Sequence, residues 1–133
     1  MVIVADTNTF LAVTLNGPEK YPIVALTAGR ELLAPEILPF ELGNALTAML
    51  KKRTLAATEV IAAWRAVNQI PVELKKIDIE AALNLAAEHT IYAYDAYFLE
   101  CAQSNKAPLL TLDRGLAQVA RTVGIETLWE SQS

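Results

Sequence analysis

Two short apolar runs, each stopping on an aspartate, limit what this chain can fold into more than any other feature. Val2-Ile3-Val4-Ala5 ends at Asp6, and Leu109-Leu110-Thr111-Leu112 ends at Asp113. Runs this short and this continuously apolar read as buried strands of a parallel sheet covered by helices. In an open parallel sheet, the C-terminal strand ends and the loops after them build the ligand crevice. Asp6 and Asp113 are therefore expected to be neighbours in space, although they stand near opposite ends of the chain.

Between the two runs, helical patterns alternate with further short strands. Thr7 to Asn16 reads as a helix closed by the turn signal Asn16-Gly17-Pro18. Glu19 to Arg30 reads as a second, with Pro22 tolerated in its first turn. Leu32 to Ala34 is a strand. A helix then runs from about Glu36 or Pro39 to Lys52, with Leu38, Leu42, Leu46 and Met49 as its apolar stripe. Thr58 to Asn68 is a helix and Val72 to Leu74 a strand. Asp78 caps a helix reaching Glu88, and Ala93 to Asn105 forms another. A helix from Arg114 ends near Gly124, and Glu126 to Trp129 makes a last strand. The predicted class is α/β, an α/β/α sandwich around a central parallel sheet, in one domain spanning 1–133.

Composition narrows the function. At 133 residues, one domain buries roughly two-thirds of its extended-chain surface. A hydrophobic fraction of 53% exceeds the ~45–50% of ordinary soluble domains, which implies close helix packing or apolar surface reserved for a partner. No apolar stretch approaches the ~20 residues of a membrane span. No basic segment precedes the first apolar run, so no signal peptide is expected. The single Cys101 has no partner for an internal disulfide, which fits a reducing cytoplasm. A net charge of −4 argues against broad electrostatic binding of nucleic acid. Metal bound at acidic residues and local basic clusters, Lys51-Lys52-Arg53 and Lys75-Lys76, would soften that argument; each cluster also reads as plain solvated surface.

Two further acids join the strand-end aspartates. Glu41 lies off the apolar stripe of its helix, and its own face carries Asn44, Ala45 and Ala48. Small residues beside one carboxylate and one amide leave room for an ion and its waters, although an ordinary exposed glutamate is the plainer alternative. Asp95 opens a helix that is apolar on nearly every side. Such a helix is buried, and a buried carboxylate needs a partner; a capping role at the positive helix end is the alternative. Asp6 and Asp113 also sit where helix caps belong. Four carboxylates in one crevice would repel one another unless a hard divalent cation stood between them, and such a site cleaves phosphodiesters. Asn8 and Thr111 are placed to orient ligands. Glu100 reads as solvated. His89, the lone histidine, reads as exposed and structural, which excludes a multi-histidine zinc site. No glycine-rich dinucleotide loop, phosphate loop or nucleophile elbow is present.

These residues fall into a recognisable order. Val4-Ala5-Asp6-Thr7-Asn8, Pro35 through Ala45 with Glu41 and Asn44, Tyr94-Asp95-Ala96, and Thr111-Leu112-Asp113-Arg114 followed by Leu116, Ala120 and Gly124-Ile125 together span the chain. In this arrangement the chain resembles the PIN-domain nucleases, and within them the VapC-type toxins of toxin–antitoxin pairs. The resemblance implies a Mg²⁺-dependent endoribonuclease, with Mn²⁺ able to substitute. Asp6, Glu41, Asp95 and Asp113 would hold one or two ions and leave 5′-phosphate and 3′-hydroxyl ends on the RNA. Arg114 would contact phosphate or join a surface salt bridge. Some relatives carry a further acid or asparagine after the last aspartate; here Gly115, Leu116 and Ala117 follow Arg114, so a second ion is expected to be held loosely. The resemblance also implies a small antitoxin partner and a homodimer. Val60, Ala63, Trp64 and Val67 form one side of their helix, as core or as part of an antitoxin groove. A phosphoacceptor receiver domain lacks support, because Ala5 rather than an acid precedes Asp6. A PIN-like module that binds RNA or protein without cutting remains the alternative.

Overall fold

β-Branched and leucine-rich runs with no polar interruption place strands where both faces are covered. β1 (Val2–Ala5) and β2 (Glu31–Pro35) are the two inner strands of a parallel sheet, flanked by β3 (Glu73–Lys75) and β4 (Leu109–Leu110), in the order β3-β2-β1-β4. The computed structural model describes residues 1–129. Among the described residues seven helices accompany the sheet: α1 (Thr7–Thr14), α2 (Lys20–Thr27), α3 (Leu38–Lys51), α4 (Ala57–Asn68), α5 (Ile79–His89), α6 (Ala93–Ser104) and α7 (Arg114–Thr122). The α/β class and central parallel sheet expected from the sequence are what the chain adopts.

The core joins Ile3 and Val4 of β1, Leu109 and Leu110 of β4, Phe98 and Leu99 of α6, and the α3 stripe Leu38, Leu42 and Leu46. Helix α6 packs on β1 and β2 on one side and on α5 on the other, while α1 touches α2, α3 and α4. Trp64 is half-buried against this core.

Several sequence expectations shift. The Leu109–Leu112 run is hydrogen-bonded as a strand only over Leu109–Leu110, because Thr111 turns its hydroxyl to the neighbouring strand end. The Glu126–Trp129 strand reduces to one parallel bridge between Leu109 and Thr127. Glu100 is not solvated: it is 5% exposed, its Oε1 accepts from the Ser104 hydroxyl, and its Oε2 is buried without a partner. The cause is that α6 is covered by both sheet and α5, where the fully buried Ala82 permits close approach. His89 is half-buried rather than exposed, with an unbonded Nε2. Burial pushes the Cys101 thiol up to about 12, so it is no thiolate ligand or nucleophile.

The sheet order matters most for function. From β1 the chain steps outward through β2 and β3, then returns to the other side of β1 as β4. The order thus reverses between β1 and β4, and a crevice opens beyond the C-terminal ends of strands at such a point. Asp6 and Asp113 flank it.

Candidate metal centre

Asp6 leaves β1 and at once caps α1. Its Oδ1 accepts from the Thr9 backbone N–H at 3.0 Å and from the Thr9 hydroxyl at 2.7 Å, while its Oδ2 accepts from the Thr111 hydroxyl. At 6% exposure a carboxylate needs such donors, and hydrogen bonds to a charged group contribute about 1.5–3 kcal/mol each. Burial still dominates: it raises the Asp6 pKa against the pull of Thr111 and Thr9, and the charge of Asp113 adds to the rise.

Asp113 stands across the crevice, exposed, as the cap of α7, with Oδ1 accepting from the Leu116 N–H at 3.1 Å. The Thr111 hydroxyl that donates to Asp6 also accepts from the Asp113 N–H at 3.1 Å. One hydroxyl therefore fixes both aspartates relative to each other. A Cβ on Gly115 would lie 3.3 Å from Asp113 Oδ1, so the glycine keeps the approach to that carboxylate clear.

Glu41 comes from the first turn of α3 and is half-buried. Burial raises its pKa; the Thr7 hydroxyl opposes that rise, and the charges of Asp95 and Asp6 add to it. Glu41 Oε2 and the Thr7 hydroxyl are both buried; the hydroxyl is near enough to favour the charged carboxylate, yet neither atom completes a well-aligned hydrogen bond. Asp95 lies in the first turn of α6 but does not cap it, since Tyr92 holds that position. Burial raises its pKa, followed by the charges of Asp113 and Asp6.

The four acids thus form one electrostatic group, each coupled to more than one other. Among the described residues, no three acidic, histidine or cysteine side chains converge closely enough to enclose a bare ion. A hard cation that keeps several waters and takes only one or two direct carboxylates suits this spacing, as Mg²⁺ does. The unsatisfied Glu41 Oε2 and the raised pKa values are what a cation would relieve.

Asn8 and Asn44 are exposed, and neither bonds a site carboxylate among the described residues. Arg114 is exposed; the ion pair among the described residues is Lys75 with Glu73, at 3.2 Å. Thr9 and Thr7 are the site residues that sequence reasoning passed over. Thr9 was accessible to it, standing three residues after the cap, where an N-cap side chain reaches back to the chain.

The fold is shared with solved structures. PAE2754 from Pyrobaculum aerophilum superposes with a TM-score of 0.74 at 18% identity, covering 96% of this chain and 83% of that one. VapBC2 from Rickettsia felis, bound to a DNA fragment from their promoter, gives 0.68 at 15% identity over 96% and 98%. FitAcB from Neisseria gonorrhoeae gives 0.66 at 17% identity over 94% and 95%. No curated protein sequence matches this one. The profile of the PIN domain matches residues 3–122, nearly the whole chain and every acid of the crevice, and the chain belongs to the PIN domain family.

Proposed function

We propose that this chain is a divalent-metal-dependent endoribonuclease and the toxin of a VapBC-type toxin–antitoxin pair, acting in the cytoplasm. The observation that carries the reading is the coupled group Asp6, Glu41, Asp95 and Asp113, in which three carboxyls have raised pKa values and Glu41 keeps a buried, unbonded oxygen. Membership of a family of nucleases supports it.

In this reading Asp6, held by Thr9 and Thr111, is the rigid ligand, while Glu41, Asp95 and Asp113 bind directly or through water. The ion, Mg²⁺ or Mn²⁺, supplies a Lewis acid that lowers the pKa of water and offsets charge at the scissile phosphate. Asp95, half-buried and not engaged as a helix cap, would accept a proton from the attacking water. Arg114, exposed beside Asp113, contacts a flanking phosphate.

Two of the structures that share this fold are the VapBC2 and FitAcB assemblies, which supports an antitoxin partner here. An apolar hollow of about 150 Å³ between α1 and α2, walled by Phe10, Val13, Ile23 and Val24 and closed by Ile70 just beyond α4, receives an antitoxin side chain. A homodimer is part of the reading, supported by a hydrophobic fraction of 53%. Among the described residues no helix is long and apolar enough to cross a membrane.

The test is cleavage of single-stranded RNA by the purified protein as Mg²⁺ is raised, beside Asp95→Asn and Asp6→Asn. Wild type is expected to cut only with the ion, and each variant to lose at least a hundredfold, on the order of 3 kcal/mol of barrier. Metal-independent cutting, or variants as fast as wild type, sinks the assignment. A protein that binds RNA and metal but cuts nothing is a binding module instead.

A further inference from the structure

Among the described residues, three of the four exposed aromatic residues stand within three positions of a crevice acid in the sequence. The four are Tyr21, Phe40, Tyr92 and Tyr94. Phe40 immediately precedes Glu41, Tyr94 immediately precedes Asp95, and Tyr92 stands three residues before Asp95. Tyr92 is 84% exposed, so its ring packs little in the folded monomer.

Tyr92 also has a hollow beside it. At the corner between α5 and α6, an open cavity of about 460 Å³ is bounded by Ala86, Ala87, Thr90, Ile91 and Tyr92. That volume falls within the ~300–1,000 Å³ of small-ligand sites. Its walls are one aromatic ring, one branched apolar side chain, two methyl groups and one hydroxyl. Thr90 adopts φ +53° as the C-cap of α5, a left-handed conformation unfavourable for a β-branched residue. The chain thus turns sharply into α6 here, and the Ile91 N–H closes the corner on the Ala86 carbonyl at 3.1 Å. Tyr92, the wall of the hollow that belongs to α6, caps the turn in which Asp95 stands, about one helical turn away along the backbone.

We propose that this corner is a nucleobase subsite, in which an unpaired base of the RNA next to the scissile phosphate stacks on Tyr92 over Ala86 and Ala87, with Thr90 offering a hydrogen bond to the base edge. The inference rests on the ribonuclease reading above and adds how the substrate is held. Charge selects this occupant. With a net charge of −4 and a crevice lined by carboxylates, phosphate contacts alone are a poor source of affinity. Base–aromatic stacking is indifferent to the protein's charge and tolerant of sequence. It requires the base to be splayed from its neighbours, so the substrate is a single-stranded or looped segment rather than a duplex.

The experiment measures cleavage kinetics in Mg²⁺ on a short single-stranded RNA and on the same sequence annealed to its complement. It compares wild type, Tyr92→Ala, Tyr92→Phe and Tyr21→Ala, with melting temperature and solution mass recorded for each. Tyr92→Ala is expected to raise KM about tenfold, in line with the loss of one stacked base, with the effect falling on KM more than on kcat. Tyr92→Phe, which keeps the ring, restores most of that loss, and Tyr21→Ala behaves as wild type. The duplex is cut poorly by all. An unchanged KM in a folded Tyr92→Ala protein overturns the subsite. So does a KM rise that appears only together with a fall in solution mass, which assigns Tyr92 to an interface between copies. A wild-type protein that cuts no RNA removes the underlying reading, whereas one that cuts RNA with Tyr92 irrelevant removes only this subsite.

Discussion

Thr111 occupies the most consequential position for its size. Its hydroxyl donates to Asp6 and accepts from the Asp113 N–H, so one oxygen both stabilises a buried charge and sets the spacing across the crevice. Thr111→Val keeps the volume and removes the donor. The expected cost is roughly 1–3 kcal/mol, read as a lower melting temperature, with a further rise in the Asp6 pKa and weaker Mg²⁺ binding. A variant equal to wild type in both melting and Mg²⁺ affinity would show that the bond is not worth its geometry. The same residues set a pH dependence. Asp6, Glu41 and Asp95 have folded pKa values above their ordinary ones. The folded protein therefore binds protons more readily than the unfolded chain, and stability is lost as pH rises through the raised values. Metal-free protein should melt higher as pH falls from neutral towards the ordinary carboxylate range near ~4. With Mg²⁺ the gain from added ion should shrink over the same range, because ligands must be deprotonated. Melting curves with and without the ion, at several pH values, decide it; metal-free protein that loses stability on that first acidification contradicts the shared origin of the shifts.

At the scale of elements, what the sequence announces is what local chemistry decides. Asp78 was readable as a cap and does accept from the Ala81 N–H at 3.0 Å. The Leu38–Leu42–Leu46 stripe was readable because a helix repeats its buried face every three to four residues, and all three are buried. The sequence set the four acids together as an expectation because Asp6 and Asp113 end apolar runs, Glu41 lies off the apolar stripe of its helix and Asp95 opens an apolar helix. Lengths and surroundings were not legible. Nothing local says that Thr111 will bond across to Asp6 and end β4 early. Asn8 matched a pattern of position, yet Thr9 bonds Asp6, because the first turn of α1 carries residue 9 inward and residue 8 out to solvent. Glu100 misled in the same way: whether a helix is covered on a second side depends on α5, which sequence spacing on α6 does not report. That burial has its own consequence. Its carboxyl has one donor, Ser104, and an unpartnered Oε2, and a buried polar group so poorly bonded opposes folding. Glu100→Gln, which retains an acceptor for Ser104, should raise the melting temperature by a few degrees. A fall of similar size would mean that the charge has a cation opposite it in the assembled protein.

For the whole molecule, the division of surface between partners can be tested separately from catalysis. The hollow between α1 and α2 opens beside Val24, which is 46% exposed, whereas Trp64 lies against the core. With a candidate antitoxin co-expressed, Val24→Asp is expected to weaken its capture at least tenfold while the free protein melts normally. Trp64→Ala should instead lower the melting temperature. Capture unchanged by Val24→Asp, or lost in a normally stable Trp64→Ala protein, would move the docking surface onto the Trp64 face.

The adjacency of β1 and β4 carries a further consequence, one of timing. Asp6 is made well before Asp113, and the pairing that brings them together, Val4 with Leu109 and Ala5 with Leu110, joins segments that lie far apart along the chain. Such long-range closure is a late event in folding. A nascent chain halted after α6 carries three of the four acids but lacks the hydroxyl and the strand that position the first of them. If the chain is the ribonuclease proposed above, it would in this way be harmless to the ribosome making it until the segment that carries β4 has been made, protected by the order of its own strands.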